Sequence, residues 1–408
     1  MSDTQKNKKP NVPNLSVKRE QKELQIHSAE RETNVGRNVP NLRFPGFSGE
    51  WECKQVRDIA PLQRGFDLPS QSLKEGIYPV VYSNGIMNYH SEYKCEAPGI
   101  VTGRSGTIGK LTFIESGKYW PHNTSLWVTD FKNNDSKFVY YFYEHLDLCR
   151  FSSGSGVPTL NRNDVHAYKA FIPSLTEQNK IASFLSLLDA RISIQNKVIE
   201  DYTTLEKEIQ HQVFSRINAP HVPLSSISER VSERNSTLES DNVLTISARE
   251  GLVSQLEFFN KSVASENLSN YYLLRKGDFA YNKSYSSDYP WGAIKYLERY
   301  NRGVLSPLYF CFRPNKEIVD IRYLQFFFDT NLWHKHIAEI AVEGARNHGL
   351  LNMTVVDFYT MPILLPTMNE QKEIAEKLSA IREKRVVEES IYRLFLQQKR
   401  YLLEKLFI

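Results

Sequence analysis

Nothing in this sequence is built to cross a bilayer, because no run of about 18 or more apolar residues occurs in it. The opening "MSDTQKNKKPNVPNLSVKREQ" has no apolar core, so a secretory signal is not expected there. Cysteine is scarce. Cys53, Cys95, Cys149 and Cys311 are scattered without a CxxC pair. That spacing excludes a disulfide framework or a zinc site and fits buried or incidental thiols in a reducing cytoplasm. Bulk charge is lacking too: the net charge is +4, and residues 1–40 hold +3 of it from eight Lys/Arg against five acids. A polyanion binder with so neutral a body must concentrate positive charge on one face or borrow it from partners.

Catalytic signatures are equally missing. In "GRSGTIGK" (103–110) the gap between Gly103 and Gly109 is one residue longer than a phosphate-binding loop allows. Lys110 is followed by Leu111 rather than Ser or Thr, and "LTFI" reads as a strand, so no helix N-terminus is offered to a phosphate. "SDYPW" (287–291) lacks the double proline of the amino-methyltransferase loop, and no GxGxxG opens a βαβ unit. His334 and His336 lie two apart, on opposite faces of an expected helix, which is wrong for joint metal ligation. No HExxH, Cys/His cluster or G-x-S-x-G elbow appears, and the "GSG" at 154–156 falls in a loop. The chain is expected to be non-catalytic, to hold no metal and to bind no cofactor of its own.

What is present is a repeat. At 408 residues the chain exceeds one typical core. Residues 1–37 are polar, Pro/Asn/Lys-rich and aperiodic, the composition of a disordered tail, and "NVPNL" occurs at 11–15 and again at 38–42. From there one plan runs twice. "WECKQVRDIAPLQRG" (51–65) answers to "HVPLSSISERVSERN" (221–235), with Ile59 opposite Ile227. "YPVVYSNGI" (78–86) answers to "NVLTISAREGL" (242–252), and "APGIVTGRSGTIGKLTFI" (97–114) to "RKGDFAYNKSYSSDYPWGAIKYL" (275–297). The aromatic runs "FVYYFYEHL" (138–146) and "YLQFFFDTNL" (323–332) are helix candidates, and Asp164 matches Asp357 in the segments that follow.

Each repeat ends in a long helix. "TEQNKIASFLSLL" (176–188) and "NEQKEIAEKLSAI" (369–381) agree at six of 13 positions, 193 residues apart. Pro173 and Pro366 mark the entries, with Thr176 and Asn369 as expected N-caps. Apolar residues then form a seam: Ile181, Leu185, Leu188, Ile192, Ile199, Tyr202, Ile209 and Val213 in the first helix. Ile374, Leu378, Ile381, Tyr392, Phe395, Leu402 and Leu406 follow in the second. Gln195 and Glu206 interrupt the first seam, and Arg385, Glu388 and Lys399 the second. A step of 3.5 residues held for several heptads is a coiled-coil signature. A helix of about 40 residues at ~1.5 Å rise is roughly 60 Å long. Two similar units ending in such helices are expected to pair like an isologous dimer about a pseudo-two-fold axis, with antiparallel helices and the globular parts at opposite ends.

The fold class is therefore α+β: two tandem domains related by a pseudo-two-fold axis and separated by an antiparallel coiled coil. The expected division is a tail at 1–37, a domain at 38–173, a helix at 174–217, a domain at 218–365 and a helix at 366–408. Both halves carry Gly-containing polar loops between short strands. In the first these offer Ser83, Asn84, Arg104, Ser105, Thr107, Lys110, His122 and Asn123, and in the second Ser247, Arg249, Lys283, Ser284, Tyr285, Trp291 and Lys295. Arg and Lys pair with guanine edges or phosphates, Asn pairs bidentately with adenine, and glycines let a backbone approach a phosphate. Two similar but unequal readers suit a double-stranded DNA target made of two different half-sites.

The plan resembles the specificity (S) subunit of type I restriction–modification systems. The resemblance is carried by "NVPNLRFPGFSGEWE" (38–52), "TGRSGTIGK" (102–110) and "LNRNDVHAYKAFIPSLTEQNKIASFLSLLDARI" (160–192). The last returns as "LNMTVVDFYTMPILLPTMNEQKEIAEKLSAI" (351–381). It implies recognition domains at 44–172 and 221–365, each reading one half of a split target, and helices at 176–215 and 369–407 that set the unspecified gap. It also implies docking of two adenine methyltransferase and two ATP-driven restriction subunits, which use S-adenosylmethionine, ATP and Mg. Two other readings compete: a DNA adenine methyltransferase in its own right, and a coiled-coil scaffold that binds protein. The first would need a Gly-rich cofactor motif and a D/N-P-P-Y/F loop, neither of which is present.

Overall fold

The structure is a computed structural model that describes residues 38–153, 158–248, 250–259, 267–341 and 350–408. The expected tail at 1–37, the first "NVPNL", the "GSG" loop and Arg249 lie outside the described residues. The described chain gathers into two compact units, 38–195 with 391–408, and 196–390.

In the first unit a four-stranded antiparallel sheet carries, in spatial order, Leu62–Arg64, Ser125–Val128, Gly99–Gly103 and Leu111–Ile114. A second sheet orders Gly85–His90, Tyr78–Tyr82, Lys118–Pro121 and Cys95–Glu96, with one parallel pairing where Val80 faces Trp120. Glu52–Gln55 pairs with Lys169–Ile172 and closes the unit. The aromatic run forms the helix Ser136–Leu146, started by Asp135, whose carboxylate accepts the Phe138 N–H at 2.7 Å. Its buried face of Phe138, Val139, Tyr141, Phe142, Tyr143 and Leu146 packs into one core with Ile181, Leu185, Leu406 and Phe407. Side chains of this size, fully buried, each stabilise by about 1.5–3 kcal/mol relative to exposure. The Leu42 N–H donates to the Lys405 carbonyl at 2.8 Å.

The second unit repeats the main sheet strand for strand: Ser228–Arg230, Phe310–Pro314, Phe279–Asn282 and Ala293–Tyr296. His221–Pro223 pairs with Pro362–Leu364 as the closing ribbon. In place of the second sheet stand two separate ladders, Leu244–Ser247 with Gly251–Ser254 and Tyr272–Arg275 with Arg302–Leu305. The second aromatic helix runs Ile321–Phe328, capped by Asp320, and is shorter than its sequence suggested. Asp329 still donates its N–H to the Gln325 carbonyl at 3.0 Å as the C-cap, and its side chain pairs with Lys295 and Arg382.

The two long helices are Leu175–Arg216, of 42 residues, and Met368–Leu406, of 39. Both begin ahead of the expected Thr176 and Asn369. The caps lie earlier still: Thr367 and Glu370 form a reciprocal capping box, with the Thr367 N–H donating to the Glu370 carboxylate at 2.9 Å. The central helix gives its first half to one unit and its second half to the other, and the C-terminal helix does the reverse. The helices are thus parts of both units rather than segments apart from them. Within each unit the two segments run antiparallel. Arg191 meets Phe395 and Asp189 meets Lys399 in the first, while Glu206 meets Arg382 and Arg385 in the second.

Along the seams Ile181, Leu185, Leu188, Leu378, Leu402 and Leu406 are buried. Ile192, Ile199, Tyr202, Ile209, Val213, Ile374, Ile381, Tyr392 and Phe395 are half-buried. Ala182, Phe214, Ala375, Leu403 and Phe407 join them inside. The polar interruptions Glu206, Arg385 and Lys399 are not flaws in the seam, since each is ion-paired there.

One device explains why Glu-Gln opens both helices. The Gln178 amide oxygen accepts the Asp135 N–H at 3.0 Å, and its nitrogen donates to the Pro173 carbonyl at 3.0 Å and to Asn134 at 2.9 Å. Gln371 accepts the Asp320 N–H at 2.8 Å and donates to Pro366 at 2.9 Å and Ile318 at 3.2 Å. Each glutamine pins the start of a long helix to the cap of its unit's aromatic helix. The neighbouring glutamates diverge: Glu177 is buried and grips Arg43 through both oxygens, at 2.8 and 2.7 Å, while Glu370 serves the capping box.

Candidate nucleic-acid interface

The first unit's candidates converge on one residue that sequence reasoning passed over, Thr124. The Arg104 and Ser105 N–H groups both reach the Thr124 carbonyl, at 3.0 and 3.3 Å. Its hydroxyl accepts the Ser83 N–H at 3.3 Å and lies 3.0 Å from His122 Nδ1. The Lys110 ammonium donates to the Asn84 carbonyl at 2.5 Å, and the His122 ring lies 4.2 Å from that of Tyr82. Asn123 is held by Asp67, which also pairs with Arg64 at 3.2 Å. Thr107 presses its carbonyl on Gly103: a Cβ there would lie 1.7 Å from that oxygen and 2.8 Å from the Ser83 carbonyl. Only glycine permits this approach, and it folds the loop 104–110 back over its own strand. Burial lowers the His122 pKa, so the imidazole is neutral at pH 7.

In the second unit Lys283, Ser284, Tyr285 and Trp291 lie on one hairpin loop between Phe279–Asn282 and Ala293–Tyr296. The Lys283 ammonium lies 4.6 Å from the centre of the Phe310 ring, Tyr285 is exposed, and the Trp291 carbonyl accepts the Tyr281 hydroxyl at 2.9 Å. Ser247 sits apart, at the turn of the Leu244–Ser247 ladder, accepting the Glu250 N–H at 3.1 Å. Lys295 lies within the sheet, paired to Asp329 at 2.6 Å with both side chains largely buried. That commitment distinguishes it from the loop lysines.

The two hairpin loops are equivalent. Arg104 follows the Gly99–Gly103 strand as Lys283 follows Phe279–Asn282. Their carbonyls accept the N–H of Leu160 at 2.8 Å and of Leu351 at 3.0 Å, and the next residues form matching bridges, Ser105 with Thr159 and Ser284 with Leu350. Gly109 and Gly292 close the loops with φ of 77° and 78°. One cationic residue thus opens each loop at the same place, while the residues between differ in length and kind. Among the described residues no group of three His, Cys, Asp or Glu could hold a metal, and no helix is long and apolar enough to cross a membrane.

These features define a tandem α+β protein whose two units share the plan of the main sheet and each present one hairpin loop opened by a cationic residue. Residues 48–201 match the family model of the type I restriction modification DNA specificity domain. The S subunit of a type I restriction–modification system from M. genitalium has a similar structure, with a TM-score of 0.58 at 16% identity over 91% of this chain and 99% of that one. A second similar chain comes from work on complex assembly and conformational transition of the type I R-M system, with a TM-score of 0.50 at 12% identity, covering 90% and 99%. No curated protein matches the sequence. The family match covers residues 48–201, and the likeness to solved S subunits extends the same fold over most of the chain.

Proposed function

We propose that the chain reads a bipartite double-stranded DNA target, one hairpin loop to each half-site, and docks methyltransferase and restriction subunits that supply the chemistry. The observation that carries this reading is the equivalence of Arg104 and Lys283 at the root of loops that otherwise differ. A fixed cation at the loop's base suits a phosphate contact that sets register, and divergent residues beyond it suit base readout. The near-neutral body fits an assembly in which partners add phosphate contacts. S-adenosylmethionine, ATP and Mg would then be used by those partners, and this chain would contribute no catalytic group.

Arg104→Ala and Lys283→Ala test the assignment in the assembled methyltransferase complex. Each substitution is expected to weaken binding to its own half-site and to lower the salt dependence of binding by about one phosphate contact. Assembly with the methyltransferase should be unaffected. Unchanged DNA affinity after both substitutions sinks the loop assignment. Single-molecule sequencing of methylated adenines in cells expressing the system should return one split motif, and a continuous motif would overturn the two-reader model.

A further inference from the structure

The two units hold matching charge clusters whose polarity is reversed. In the first, Lys399 of the C-terminal helix lies 2.8 Å from Asp189 of the central helix, 2.9 Å from Glu144 and 5.5 Å from the Tyr141 ring centre. In the second, Arg382 of the C-terminal helix lies 2.7 Å from Glu206 of the central helix, 2.9 Å from Asp329 and 4.2 Å from the Phe326 ring centre. Tyr141 and Phe326 occupy the same position after the caps Asp135 and Asp320, as do Glu144 and Asp329. Along the helices Asp189 is the repeat counterpart of Arg382, and Glu206 of Lys399, each pair 193 residues apart. The duplicated positions have therefore exchanged sign. Both acids lie on the central helix and both bases on the C-terminal helix.

This exchange does what the apolar seam cannot. Ile181 and Ile374, Leu185 and Leu378, or Leu188 and Ile381 are nearly the same in both helices, so the seam alone would let either helix pair with a copy of itself. Two antiparallel central helices would set Asp189 against Glu206 with Glu144 alongside, and two C-terminal helices would set Arg382 against Lys399. We infer that the reversed polarity makes the two helices selective for each other, so the N-terminal half of the chain pairs with the C-terminal half and rejects a second copy of itself. This inference is independent of the DNA reading.

The test uses full-length protein with a protease site placed at Asn218–Ala219, just past the end of the central helix, and cleaved after folding. Unlabelled and isotopically labelled nicked proteins are mixed, and the pairs that form on exchange are weighed by native mass spectrometry. Only pairs of an N-terminal with a C-terminal fragment are expected. Pairs of two N-terminal fragments, in amounts comparable to the mixed pairs, would overturn the inference outright. Next, nicked Asp189→Lys/Glu206→Lys protein is mixed with nicked wild type. Variant and wild-type N-terminal fragments should now pair with each other, since each lysine meets an acid, and their failure to do so would equally refute it. Should the double lysine variant not fold, Asp189→Asn/Glu206→Gln removes the acid–acid contact, and N-terminal pairs absent from wild type are expected.

Discussion

Gln371→Met is the sharpest probe of what the repeated Glu-Gln contributes. Gln371 is fully buried, and methionine preserves its length and volume while removing every polar atom. Three partners are then abandoned: the Asp320 N–H at 2.8 Å and the carbonyls of Pro366 at 2.9 Å and Ile318 at 3.2 Å. An unsatisfied buried donor or acceptor costs about 1–3 kcal/mol. The orphaned N–H carries the full penalty and the carbonyls less, for a total of about 4 kcal/mol. Denaturant unfolding measures that total. Amide hydrogen exchange at Asp320 reports the local event, because the Gln371 amide oxygen is what accepts this N–H, while the Asp320 carboxylate caps the aromatic helix. Gln178→Met should do the same at Asp135, and since the two glutamines share no partner the losses should add. A loss below about 1 kcal/mol with unchanged Asp320 exchange would show that the glutamine fills space rather than fastening two helices.

Other expectations follow from single contacts. Gly103→Ala forces a Cβ to 1.7 Å from the Thr107 carbonyl, so the hairpin loop must open; a lowered melting temperature with loss of first half-site binding is expected, read by calorimetry and gel shift. Glu206→Ala removes the shared partner of Arg382 and Arg385 and should cost about 3 kcal/mol in urea unfolding. Asp189→Ala, at a more exposed site where Lys399 keeps Glu144, should cost about 1 kcal/mol. Burial depresses the His145 pKa below the ordinary 6.5. Stability from the neutral ring is therefore present above pH 6.5 and is lost as the pH falls toward the depressed value, with His166 shifted the same way. Melting temperature should fall over that acid range, and His145→Phe, which keeps the stack on Phe407, should flatten the slope.

The repeat was legible because it is written where backbone geometry leaves no choice. Pro-x-x-x-Glu-Gln recurs since both helices must be capped and pinned at the same point. The seam recurs because both helices bury the same stripe. Other features had no local signal. Glu206, Arg385 and Lys399 read as breaks in an apolar stripe, because their partners lie on a helix nearly two hundred residues away in sequence. Thr367 was passed over as a cap in favour of Asn369, since both are good cap residues and only the capping box decides between them. Lys295 and Lys283 look alike in sequence, yet one ends against a buried carboxylate and the other on a loop over an aromatic ring. The first unit's second sheet was legible only in its first hairpin, which answers to the Leu244–Ser247 and Gly251–Ser254 ladder of the second unit. Its strands are two to six residues long, and one pairing is parallel between segments far apart in the chain.

The bond from the Leu42 N–H to the Lys405 carbonyl makes the fold topologically almost a ring. Leu42 and Lys405 lie side by side in the first unit, and the central and C-terminal helices are each divided between the two units. Which half is translated first is therefore a matter of where the ring is cut. A gene that joined the ends near Leu42 and Lys405 and began at Pro220 would encode the same contacts in a different order. Recombination between related genes could thus exchange or reorder whole units without designing a new junction.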